Sequence, residues 1–145
     1  MLDGGDGAIS GLGGAGQVSG DDSASFSGFG SYGIGAGGHW SLSGTNGLGA
    51  GQKLTVDGVL TVDGSLGEAA GAVIAIDAGG TLRFQSLGQA LAGSIVNNGV
   101  LAVQGELTLT GPISGFGQAV VDGGTLAVLT AFSQRVAFAD GSGVL

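Results

Sequence analysis

The side chains in this sequence with chemistry to offer are few and far apart. His39 is the one histidine, set between Gly37-Gly38 and Trp40. A general base needs a nucleophile to deprotonate and a third group to orient it, and no motif near His39 supplies either. It reads as a surface or packing histidine. Glycoside hydrolysis needs two carboxyl groups about 5 to 9.5 Å apart, and the evident pairs are Asp21-Asp22 and Asp57 with Asp63. Asp57-Gly58 and Asp63-Gly64 occupy equivalent places before a glycine, where a turn already accounts for the aspartate. Polysaccharide lyases set a basic residue beside acidic metal ligands, whereas Arg83 and Arg135 stand alone in strand-like runs. The sequence therefore predicts no catalytic residues and no enzyme activity.

Metal and cofactor sites fare no better. Calcium-binding repeats run Gly-Gly-x-Gly-x-Asp in tandem, but Gly4-Gly5-Asp6-Gly7-Ala8-Ile9 has isoleucine in place of the aspartate, and no second copy follows. There is no cysteine for zinc, so no cofactor or metal is expected and chelators should leave folding unchanged. Thr55, Thr61, Thr108 and Thr110 are spaced too irregularly for the flat threonine array of an ice-binding face. The remaining candidate is a ligand platform of Trp40, Tyr32 and His39, with Phe26 and Phe29 near in sequence, on which a sugar ring would stack. The competing reading makes these aromatics a plug for one end of the core.

Glycine provides 35 of the 145 residues and proline one, and 43% of the chain is hydrophobic. That composition fits neither collagen nor disorder. Charged residues make up 10%, far below the roughly 25% usual in globular domains. The net charge of -8 removes the electrostatic basis for binding nucleic acid or anionic lipid. No run of about 18 apolar residues offers a membrane span, and Met1-Leu2-Asp3-Gly4-Gly5-Asp6 has neither the basic region nor the apolar core of a signal peptide.

What must carry any site is a repeat. Leu54-Thr55-Val56-Asp57-Gly58-Val59 is followed by Leu60-Thr61-Val62-Asp63-Gly64-Ser65, and apolar residues alternating with polar ones before a turn mean short strands. Gly58-Val59-Leu60, Gly80-Thr81-Leu82, Gly99-Val100-Leu101, Gly124-Thr125-Leu126 and Gly143-Val144-Leu145 mark a longer period of 22, 19, 25 and 19 residues. A second pattern, shared by Ile9-Ser10-Gly11-Leu12-Gly13, Phe26-Ser27-Gly28-Phe29-Gly30 and Ile113-Ser114-Gly115-Phe116-Gly117, extends the repeat to the Gly/Ser-rich residues 1–50. Glycine at this density excludes helical repeats, since each costs about 1 kcal/mol inside a helix.

The prediction is an all-β single domain, residues 1–145: a parallel β-helix or β-solenoid with coils of roughly 19–25 residues, clearest over 51–145. Alternation points Leu54, Val56, Leu60, Val62, Ile74, Ile76, Leu82, Phe84, Leu101, Val103, Leu107, Leu109, Leu126 and Val128 inward. It points Thr55, Thr61, Arg83, Ala102, Thr108 and Ala127 outward. Asp-Gly and Asn-Gly pairs, Asn98-Gly99 and Asp122-Gly123 among them, are expected at the corners to supply positive φ.

The stretches Trp40-Ser41-Leu42-Ser43-Gly44-Thr45-Asn46-Gly47-Leu48, Leu54 to Val62, and Val136 to Leu145 resemble the β-strand repeats of very large bacterial surface proteins, including autotransporter passengers and adhesins. The resemblance implies an extracellular location and a structural or adhesive role. The alternative from another class is a carbohydrate-binding or carbohydrate-processing β-helix. Partners expected are adjoining repeats, a second copy joined head to tail through the coil ends, or surface polysaccharide.

Overall fold

The computed structural model describes residues 6–14, 24–28, 30–139 and 141–145, with side chains from residue 30 onward except at 140. Every regular element among them is a β-strand, and every pairing is parallel. The chain winds through three sheets in turn. Two strands come first, β1 (Asp6–Gly14) and β2 (Ala24–Gly28). The first complete coil is β3 (Ser31–Ile34), β4 (His39–Ser43) and β5 (Thr45–Leu48). The second is β6 (Lys53–Val56), β7 (Val59–Val62) and β8 (Ser65–Glu68), and the third β9 (Val73–Ile76), β10 (Thr81–Phe84) and β11 (Gln89–Leu91). The fourth is β12 (Ser94–Asn97), β13 (Val100–Val103) and β14 (Glu106–Leu109). The fifth is β15 (Ile113–Ser114), β16 (Gln118–Val121) and β17 (Thr125–Val128), and β18 (Arg135–Phe138) begins another.

Each coil contributes one strand to each sheet, so sheet neighbours are one coil apart in sequence. The first sheet runs β15-β12-β9-β6-β3, the second β18-β16-β13-β10-β7-β4-β1-β2, and the third β17-β14-β11-β8-β5. The architecture is a β-solenoid, as the alternation of short strands and glycine predicts.

Register corrects the coil length. In the second sheet His39, Val59, Thr81, Val100, Gln118 and Arg135 are paired in sequence, so successive coils take 20, 22, 19, 18 and 17 residues. The expected spacing of 25 arises because the glycine markers lie on two faces. Gly58, Gly80 and Gly99 precede strands of the second sheet, whereas Gly124 precedes β17 in the third, and Val144 bridges Thr125 there. The six-residue unit repeated at Leu54 and Leu60 likewise spans one face to the next, from β6 to β7.

Inside, like residues stack along the axis. Trp40, Leu60, Leu82, Leu101, Ala119 and Val136 form one row, and Leu42, Val62, Phe84, Val103, Val121 and Phe138 the next. All but Val136 and Phe138, on the last strand, are buried. Burying a Leu, Val or Phe side chain contributes roughly 1.5–3 kcal/mol, and no single coil could retain that gain without neighbours above and below it. Every residue expected to point inward is buried except Val128, which is partly buried because only the Val144 bridge follows β17 in its sheet. Of the outward set, Ala102 is 6% exposed: it does face outward, but it lies between Arg83 and Val120 in neighbouring strands.

The corner glycines need correction too. Gly58, Gly64 and Gly99 do not have positive φ, nor does any described non-glycine residue. Close approach is the reason glycine sits at Gly99: a Cβ there would come 2.5 Å from the Asp77 carbonyl oxygen and nearer still to that of Gly80. Stacked coils, about 4.8 Å apart, press main chain against main chain at that edge. Gly123 does carry positive φ, at 76°, and there the expected reason holds.

Candidate functional site

The structure does not gather Trp40, Tyr32 and His39 on one surface. Trp40 is 3% exposed on β4 and Tyr32 6% exposed on β3, both members of the core. His39 precedes Trp40 on the same strand, so it points the other way and is exposed. The two rings serve as packing at the first coils, with the Trp40 Nε1 left without a hydrogen-bond partner. Tyr32 also borders a recess of about 230 Å³ with Thr55 and Asp57, and burial raises its hydroxyl above the ordinary range against a hydrogen bond to Gln52 that lowers it. The side chains of Phe26 and Phe29, the Asp21-Asp22 pair and the Gly4-Gly5 segment lie outside the described residues.

Asp57 and Asp63 are not partners. Asp57 follows β6 at the edge between the first and second sheets, and Asp63 follows β7 at the edge between the second and third. The real neighbour of Asp57 is Asp77, one coil along the same edge. The interaction in which protonated Asp57 donates to the Asp77 carboxylate, followed by burial and the charge of Asp77, holds Asp57 above the usual carboxylate range. Among the described residues no group of three His, Cys, Asp or Glu is placed to hold a metal ion. Thr55, Thr61 and Thr108 sit on three different sheets, so they form no array.

Three features escaped the sequence reading. First, amides line the inner corners. The buried Asn97 donates to the Gln118 carbonyl at 3.1 Å and to Gln134 Oε1 at 2.9 Å, while its Oδ1 accepts from Gly99 N–H at 3.1 Å. Buried Asn46 donates to the carbonyls of Ser43 and Ser65, and Gln89 Oε1 accepts from Leu66 N–H. Hydrogen bonding, mostly to main chain, satisfies these buried amides.

Second, Glu68 is buried, 5% exposed, in a row that otherwise reads Leu48, Leu91, Leu109 and Val128. Neither carboxyl oxygen has a hydrogen-bond partner of ordinary geometry. Burial pushes the group up to about 7, with the nearby main chain of Gly93 offsetting part of that cost. Glycine at 93 makes room for the carboxyl, because a Cβ there would lie 2.5 Å from Glu68 Oε1. Strict alternation from Leu66 would have placed Glu68 inward.

Third, a trough runs along the edge between the first and second sheets. It holds about 330 Å³ and is lined by Asn98, Phe116, Gln118 and Arg135 over a floor that includes Gly99 and Gly117. Phe116 is fully exposed, and its N–H donates to Asn98 Oδ1 at 3.2 Å.

No family model matches the chain, and neither curated proteins nor solved structures match it. No helix among the described residues is long and apolar enough to cross a membrane.

Proposed function

We propose that the chain is a structural segment of an extracellular bacterial surface fibre, filament or adhesin, without catalytic activity or cofactor. The observation that carries this reading is the continuity of the coils. Side-chain rows run unbroken from β4 to β16, and the outer faces carry mostly small or hydroxyl-bearing residues such as Ser41, Thr61, Thr55, Ala75, Thr108 and Ala127. Such a body is a rod whose length grows by one strand spacing per coil. The resemblance to repeats of bacterial surface proteins supports the same reading.

The experiment is antibody labelling of source cells with serum raised against the purified chain. Intact cells should label as strongly as permeabilised ones. Labelling that requires permeabilisation would contradict a surface location. The second reading, a carbohydrate-binding β-helix, is favoured by the trough at Phe116 and Arg135.

A further inference from the structure

A lone exposed hydrophobic side chain needs no explanation, but Phe116 is not alone in what surrounds it. The trough follows the solenoid axis along one edge: Gly79 belongs to the third coil, Asn98 and Gly99 to the fourth, Phe116 and Gly117 to the fifth, and Arg135 to the strand after it. Three coil spacings make it roughly 15 Å long. At one end of the trough Gly79 has nothing within 4 Å of where a Cβ would lie, so no side chain closes it there. Its volume, about 330 Å³, lies at the small end of ligand sites, which run from about 300 to 1,000 Å³.

The chemistry at the rim is mixed in a particular way. Phe116 offers one aromatic face, and Val100 is its sole apolar companion among the lining residues. A peptide or lipid partner would want a broader apolar contact. A pyranose ring presents one small C–H face for a single aromatic ring and surrounds it with hydroxyls. The amides of Asn98 and Gln118 both donate and accept, which suits hydroxyls. Arg135 is exposed at the far end of the trough, and its planar guanidinium matches a carboxylate in two parallel hydrogen bonds. The net charge of -8 makes a local cation unusual on this surface.

We propose that this trough binds an acidic glycan, with a sugar ring on Phe116 and a uronate carboxylate on Arg135. The proposal deepens the adhesive reading above by naming the surface that adheres and the class of its ligand. It assigns Asn98 and Gln118 to the hydroxyls flanking the stacked ring.

The test is an NMR titration of the purified chain with trigalacturonate, using galactotriose as the neutral counterpart. Amide shifts should move at Gly99 and Gly117 with trigalacturonate. Phe116→Ala should weaken binding of both sugars about 10-fold or more. Arg135→Ala should weaken trigalacturonate by a similar factor and leave galactotriose unchanged. Both side chains are exposed, so the melting temperature should stay put in either variant. No shifts at Gly99 and Gly117, or equal affinity in wild type and Phe116→Ala, overturns the site; equal affinity for the two sugars overturns the role of Arg135. Cells that label at the surface while the purified chain ignores trigalacturonate would reject this inference and keep the structural reading. Sugar binding by a chain that proves intracellular would do the reverse.

Discussion

At pH 8, Glu68→Leu should stabilise the protein by about 3 kcal/mol and flatten its stability between pH 5 and pH 8. The carboxyl stands unpartnered between Leu48 and Leu91, where burial pushes its pKa from 4.5 up to about 7. The folded state therefore holds this proton more tightly than the unfolded chain does. The stability this gives is present in full below pH 4.5 and is lost progressively as the pH rises to about 7, because ionising the folded protein means charging a buried group. A shift of that size is worth about 3 kcal/mol. Leucine at position 68 restores an apolar row and titrates nowhere. Urea denaturation at pH 5 and pH 8 reads the effect directly. Wild type should weaken markedly at the higher pH, whereas the variant should lose most of that slope. A variant with the slope of wild type would mean that Glu68 is not buried in its row.

Phe84→Ala should cost about 3–5 kcal/mol. Phe84 is fully buried and is the largest such side chain among the described residues, stacked between Val62 and Val103 of adjacent coils. Truncating it removes its transfer free energy and leaves a cavity that rigid coils on either side cannot collapse to fill. The neighbouring Arg83 is the control, since it alternates to the outer face and its truncation should fall within about 0.5 kcal/mol of wild type. Denaturation followed by Trp40 fluorescence distinguishes the two. Equal effects at 83 and 84 would show that the alternation on β10 is wrong.

The inward set was legible because period-two alternation is set by strand geometry alone, and Leu60, Val62, Leu82 and Phe84 obey it without exception. Coil length was less so. A glycine before a strand marks a corner, and a three-sided coil has three kinds of corner; Gly99 and Gly124 look alike in sequence yet stand at different edges. The role of the corner glycines was hidden for a related reason, since a carbonyl one coil away, such as that of Gly80 over Gly99, leaves no local trace in the chain. Parity also explains the fate of the aromatic platform. Trp40 alternates with Leu42 and so points into the core, which separates it from His39. Glu68 was overlooked because Gly67-Glu68-Ala69-Ala70-Gly71 reads as a polar turn, although its first two residues complete β8. The exposure of Phe116 depends on what the fourth coil and β18 place around it, and neither lies near it in sequence.

The central claim is that the chain is a stack of interchangeable coils, and excision of one coil tests it most directly. Removing residues 81–99 takes out β10, β11 and β12 and joins Gly80 to Val100, which already share a register position with Gly99 and Thr81. Removing residues 81–89 takes the same region but breaks the register of all three sheets. Circular dichroism with thermal melting of the two deletions should show a folded, cooperatively melting β-protein for the 19-residue excision, shorter by about 4.8 Å along its axis, and loss of β-structure for the 9-residue one. If both deletions unfold alike, or both fold alike, the coils are not the units of this structure and the account fails.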